Sequence, residues 1–254
     1  MKQLTVTDVA NNQSFTFYDN SNGVIMREFE GWEYPTTNIS VEDVAGAQSS
    51  VFVNSKFGRR RLSFIGDLVA TDVFAQRRQM LAAMRQSGEL KLFEGTTYDD
   101  LLIRFEAEIV KVVAKYTHQI HSYLIELVAP DWRFYSQTLK SDTLAANATA
   151  DFENEGNEIT DPIFTITAPG NDIEVTNLTT GEAFNIGNLT GVQEVVVDVK
   201  AKTVTLDGDP AFSIFTGEFF SLVPGINELQ FTVPTGSSGA TELQVQWRDA
   251  YVGI

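Results

Sequence analysis

The chain has 254 residues and no cysteine, which removes disulfides, thiol nucleophiles and thiolate metal sites from consideration. Histidine is almost as scarce, with two residues, His118 and His121. On a strand their odd spacing puts them on opposite faces, so they neither share a metal nor orient one another. No stretch approaches the roughly 18 consecutive apolar residues of a membrane span. The opening MKQLTVTDVANNQSF lacks the apolar core of a secretory signal. The second half is nearly empty of cations. Up to Lys140 there are fifteen Lys and Arg against seventeen Asp and Glu; from Ser141 onward there are three against seventeen. Phosphate contacts need clustered cations, so the acidic half has nothing with which to hold nucleic acid.

Catalytic patterns are missing too. There is no G-x-S-x-G elbow, no G-x-x-x-x-G-K-[ST] loop and no G-x-G-x-x-G turn, and no local motif singles out a carboxylate pair among the 34 acids. Asp198, Asp207 and Asp209 could gather round one hairpin and offer oxygen ligands to a hard cation. Their spacing does not fit an EF-hand, and Asp-Gly in a tight turn has a sufficient local reason, because both residues tolerate positive φ. The expectation is a chain without catalytic residues, cofactor or metal.

What is present is mostly strand. Leu101, Ile103, Phe105, Ala107 and Ile109 alternate with polar residues, and the phase then slips to Val110, Val112, Ala114 and Tyr116, as at a β-bulge. Tyr123, Ile125 and Leu127 continue the pattern. One helix is expected over about 71–86, with Thr71 as N-cap, Asp72 in its first turn, and an apolar stripe of Val73, Phe74, Met80, Leu81 and Met84 read as core. Ser87-Gly88 supplies its stop. The Ser-, Thr-, Ala- and Asn-rich stretch 136–151 reads as a domain boundary. Beyond it come short strands at 163–168, 173–177, 195–199, 203–206, 229–233 and 243–247. Turns at Thr179-Thr180-Gly181, Lys200-Ala201-Lys202, Asp207-Gly208 and Pro224-Gly225 join them, as in an antiparallel sandwich. The expected fold is mainly β: an N-terminal β-sandwich-like domain with one helix over residues 1–140, and a C-terminal sandwich over 141–254. The last strand, 243–251, is amphipathic; it can complete the sandwich or return to the first domain, and the sequence leaves both open.

The only dense cation cluster is Arg59-Arg60-Arg61. Strand alternation sends Arg59 and Arg61 one way and Arg60 the other, with Leu62 and Phe64. These three residues, with the Lys111/Lys115 face, are the candidate interface residues. Trp32, Trp132 and Trp247 lie far apart, which disfavours one shared sugar-stacking site.

The order of motifs resembles a known family. G-W-E-Y-P at 31–35 precedes F-G-R-R-R-L-S-F-I-G at 57–66, the helix segment A-Q-R-R-Q-M-L-A-A-M at 75–84 and A-P-D-W-R-F-Y-S at 129–136. In the second half come D-P-I-F-T-I at 161–166, T-N-L-T-T-G-E at 176–182, V-V-V-D-V-K-A-K-T-V-T-L-D-G at 195–208 and F-F-S-L-V-P-G-I-N-E-L at 219–229. Taken together they resemble the siphovirus tail-component family, the distal tail proteins of siphophages. The resemblance implies a galectin-like C-terminal sandwich and an N-terminal domain that closes into a hexameric ring. It implies as partners further copies of the chain, the tail-tube protein, the tail-associated fibre or hub protein and the tape-measure protein. It places the chain at the distal end of the virion tail, made in the host cytoplasm, without sequence-specific nucleic-acid binding. A carbohydrate-binding adhesion module and a major tail-tube protein are the alternative readings.

Overall fold

The computed structural model describes residues 2–8, 13–17, 23–31, 34–43, 50–69, 72–83, 88–94, 101–105, 115–117, 120–170, 172–187, 189–233 and 241–253. The chain divides into two compact units, residues 1–137 with 252–254, and residues 138–251. The slip at 109–110 and His118 fall outside the described residues.

The first unit holds β1 (Lys2–Asp8), β2 (Gln13–Phe17), β3 (Val24–Glu30), β4 (Thr37–Asp43), β5 (Ser50–Phe57), β6 (Arg60–Leu68), α1 (Val73–Ala83), β7 (Gly88–Glu94), β8 (Leu101–Phe105), β9 (Lys115–Thr117), β10 (Ile120–Ala129) and β11 (Phe134–Ser136). One antiparallel sheet runs in the order β2-β1-β7-β8-β11, a second in the order β3-β6-β10-β9, and β4 and β5 form a two-stranded sheet of their own. β6 alternates between buried and outward residues along its length, with Leu62, Phe64 and Leu68 inside. β10 lies antiparallel to it and contributes Tyr123, Ile125 and Leu127 to the same side. The Phe17 ring stacks on Phe64 at 5.7 Å. This strict period of two is what a sheet with one packed face requires.

The described helix, Val73–Ala83, lies within the expected span and is capped one residue later. Asp72 Oδ1 accepts the Ala75 N–H at 2.9 Å, so Asp72 does the work assigned to Thr71, which lies outside the described residues. Among the described residues of the expected core stripe Val73 and Met80 are buried, joined by Ala83, while Phe74 is 62% exposed and Leu81 37% exposed; Met84 lies outside the described residues. Gly88, read as the helix stop, is the first residue of β7.

The second unit holds β12 (Lys140–Ala145), β13 (Ala148–Asn154), β14 (Ile163–Gly170), β15 (Ile173–Asn177), β16 (Glu182–Ile186), β17 (Leu189–Asp198), β18 (Thr203–Leu206), β19 (Asp209–Pro210), β20 (Phe215–Gly217), β21 (Gly225–Thr232), β22 (Glu242–Trp247) and β23 (Ala250–Tyr251). Two antiparallel sheets, β12-β22-β14-β17-β18-β19 and β13-β21-β15-β16-β20, enclose one core that includes Phe152, Phe164, Phe184, Phe220, Phe231 and Trp247. The segment 136–151 read as a domain boundary also contains β12 and β13. Each is the edge strand of its sheet, and each buries few side chains, Leu144 in one and Phe152 with Asn154 in the other. An edge strand with one wet face carries too little apolar alternation to announce itself. β22 pairs with both β12 and β14, so residues 243–247 complete the sandwich. The turns are where the sequence put them: Lys202, Asp207, Gly208, Gly181 and Gly225 all have positive φ.

Candidate self-assembly surface

Among the described residues of the first unit, the β4–β5 hairpin exposes Ile39, Val41, Phe52, Val53 and Phe57. Directly opposed residues share a face, and the register opposes Thr37 to Phe57, Ile39 to Ser55, and, past a bulge, Val41 to Phe52. The other face carries Asn38, Ser40, Glu42, Val51, Asn54 and Lys56. The first side is thus the richer in large apolar residues, although it also carries Thr37 and Ser55. The apolar side faces water: Ile39 is 63% exposed, Val41 59%, Phe52 60% and Phe57 40%. An isolated two-stranded hairpin is marginally stable, and covering each such side chain is worth about 1.5–3 kcal/mol. An exposed apolar face of this kind is a candidate contact surface.

The hairpin root is fixed. Gly58 donates its N–H to Thr36 O at 2.7 Å, and the Phe57 ring lies 4.5 Å from that of Trp132. Immediately beyond come the three arginines, which divide as alternation requires. Arg59 and Arg61 are exposed, while Arg60 is 1% exposed. Arg60 Nε donates to Trp132 O at 2.8 Å, Nη1 to Gly31 O at 2.6 Å and Nη2 to Val252 O at 2.6 Å, and its guanidinium lies 4.1 Å over the Phe134 ring. Burial lowers its pKa to about 10, so it remains a cation at neutral pH. Arg60 is consequently corrected from an interface residue to an internal tie, because every direction of its fork is satisfied within its own chain. Gly31 is bound to its position: φ is +98°, and a Cβ there would strike the Arg61 carbonyl.

Arg59 and Arg61 line an open groove of about 510 Å³ with Glu30, Tyr34, Ser63, Glu126 and Val128. Tyr34 is 70% exposed, and Ser63 donates to Glu30 at 3.4 Å. Lys115 lies on β9 opposite Ser122; Lys111, the other half of the expected Lys111/Lys115 face, lies outside the described residues. The hairpin's apolar face was missed by sequence reasoning. Its signal, I-S-V beside V-F-V, is the alternation of any half-buried strand and does not say that the covering layer is absent.

The other candidates have local duties. His121 is buried and meets the Phe74 ring edge-on at 5.1 Å. Asp198 accepts the Ala201 N–H at 2.8 Å. Asp207 accepts from Glu194 N and Gln193 Nε2, each at 3.0 Å, and those bonds, the backbone one foremost, lower its pKa. Among the described residues no three His, Asp or Glu gather as a metal would need. Trp247 packs edge-on against Phe152 and donates Nε1–H to Glu153 O at 3.1 Å; Trp32 lies outside the described residues.

Comparison with known proteins follows the division of the chain. Residues 155–251 match the family model described as the siphovirus-type tail component, C-terminal domain. Among solved structures, phage SPP1 Dit, described as a paradigm of the hub adsorption apparatus of phages that infect Gram-positive bacteria, superimposes with a TM-score of 0.69. It is 11% identical, over 97% of this chain and 98% of that one. A chain of the phage p2 baseplate in its activated conformation with strontium gives a TM-score of 0.50 at 11% identity, over 97% and 98%. Curated protein sequences gave no match. By sequence in its second unit, and by fold along its whole length, the chain is similar to the siphovirus-type tail components of the Dit kind.

Proposed function

We propose that the chain is a structural, non-enzymatic subunit of a siphophage tail tip, whose copies close into a six-membered ring. The ring would join the tail tube to the tail-associated fibre or hub protein, with the tape-measure protein and DNA passing through it, at the distal end of the virion tail. The observation that carries self-assembly is the hairpin whose apolar face is open to solvent in the single chain. The number six and the adjoining proteins rest on the family likeness. A closed ring needs a heterologous contact, in which one patch meets a different patch of the next copy, and the hairpin and groove are two such different surfaces on one unit.

Charge supports an arrangement within the ring. The acidic second half repels its copies, and repulsion between like charges falls with distance, which favours the larger radius for it. Imaging that put residues 141–241 at the lumen would contradict that arrangement. The ring itself is tested by mass. Native mass spectrometry of the purified chain is expected to give a species near six times 28.1 kDa, and a strict monomer across the concentrations of assembly contradicts the reading.

A further inference from the structure

We infer that Lys140 and Asp249 form a clasp on the C-terminal strap 250–252, so that the sandwich edge and Arg60 grip one short segment and release it together. The clasp acts within a single chain, with or without assembly. The chain enters the second unit at Thr138 and leaves it after Tyr251. Lys140 is the first residue of β12 and Asp249 stands just before β23, so the pair closes the unit where the chain comes in and where it goes out.

The Asp249 side chain is buried. A buried carboxylate is costly unless it is paired and hydrogen-bonded, and this one is both. Lys140 Nζ lies 2.9 Å from its Oδ2, and Glu155 donates its backbone N–H to Oδ1 at 2.9 Å. Lys140 also donates to Glu153 O at 3.2 Å, the carbonyl that accepts Trp247 Nε1–H. The Glu155 carboxylate, 3.1 Å from Lys140, is mostly exposed, and solvent screens an arm of that kind. Asp249 is therefore the partner that matters.

The strap beyond Asp249 is held at both ends. Ala250 donates its N–H to Asn154 Oδ1 at 3.3 Å, and its carbonyl accepts the Glu158 N–H at 3.0 Å. Asn154 is itself buried and donates to Glu158 O at 2.8 Å. At Gly156 a Cβ would strike the Ala250 carbonyl. Thr160 Oγ donates to Arg248 O at 2.6 Å. Val252 O, in turn, accepts from Arg60 Nη2. Only Tyr251 lies between the two anchored residues, Ala250 and Val252, so the strap has no slack. Without Lys140 the Asp249 charge is left buried and unpaired. It reaches water only if residues 248–250 open, and Val252 goes with them. Arg60 then keeps Trp132 O and Gly31 O alone.

Hydrogen exchange of the full chain, read by mass spectrometry, tests this because it reports opening segment by segment. Lys140→Met and Asp249→Asn are compared with Val197→Ala, which leaves a cavity in the sandwich core and the clasp intact. The expected result is roughly tenfold faster exchange at 60–64 and 250–252 in both clasp variants, with 60–64 unchanged in Val197→Ala. In the reverse direction, Arg60→Lys is expected to speed exchange at Ala250 and Glu158. Wild-type rates at 60–64 in the clasp variants overturn the coupling. Equal acceleration there by Val197→Ala overturns the clasp as its cause. Lys140→Met decides alone should Asp249→Asn fail to fold, since it leaves the Glu155 bond to Asp249 in place.

Discussion

Arg60 shows how far one residue's role can lie from its neighbours'. Alternation along a strand separates it from Arg59 and Arg61, and that much is legible in the sequence. Its acceptors are not, because they are 29, 72 and 192 residues away and no local pattern joins them. Removing the side chain leaves three carbonyls without their donor, each worth about 1–3 kcal/mol when buried and unpaired. Arg60→Ala should therefore destabilise the first unit by on the order of 3–5 kcal/mol, measured by urea unfolding. Arg60→Lys should recover little, because an ammonium lacks the planar fork that reaches several acceptors at once. Deleting residues 252–254 should cost less, about 1–3 kcal/mol, since one of the three bonds goes. In the second unit, Lys140 lies 2.9 Å from Asp249 and 3.1 Å from Glu155. Desolvation pulls its pKa down, but the hydrogen bonds to Asp249 and Glu155 outweigh it and leave the pKa raised. A lysine with a raised folded pKa contributes stability that is fully present below its unfolded value and lost as pH rises through the folded one. The difference in stability between wild type and Lys140→Met should accordingly be constant through neutral pH and shrink only above the ordinary lysine range.

At the scale of the element, turns were the most legible feature and edges the least. Asp207-Gly208 and Gly181 need positive φ, and residue chemistry alone announces that. β12 and β13 bury so few side chains that their strands were not legible in the stretch read as a domain boundary. The helix was placed correctly but its buried side was not, because Phe74 and Leu81 fit the helical period and yet point outward. Asp72→Ala should cost about 1 kcal/mol as a lost N-cap, read from thermal unfolding. The hairpin allows a sharper prediction. Its apolar residues are exposed in the single chain, and surface substitutions usually stay within about 0.5 kcal/mol. Val41→Asn combined with Phe52→Asn should leave the monomer's unfolding midpoint nearly unchanged while assembly is lost, as sedimentation would show. A loss of stability of several kcal/mol would mean that the face is covered within its own chain.

For the whole molecule, charge and architecture point the same way. A near-neutral first half carries the hairpin and groove, and an acidic second half carries a closed sandwich whose sequence matches a tail-component domain. The mainly β character and several strands of the second unit could be read from alternation and turns. The exposed hairpin could not, because hydrophobic patterning shows which face seeks cover and not whether the same chain supplies it. Averaged electron micrographs of the assembled protein seen end-on test the central claim most directly. The account predicts a closed ring of six subunits around an open centre. Isolated single chains, or open filaments that never close, would contradict it.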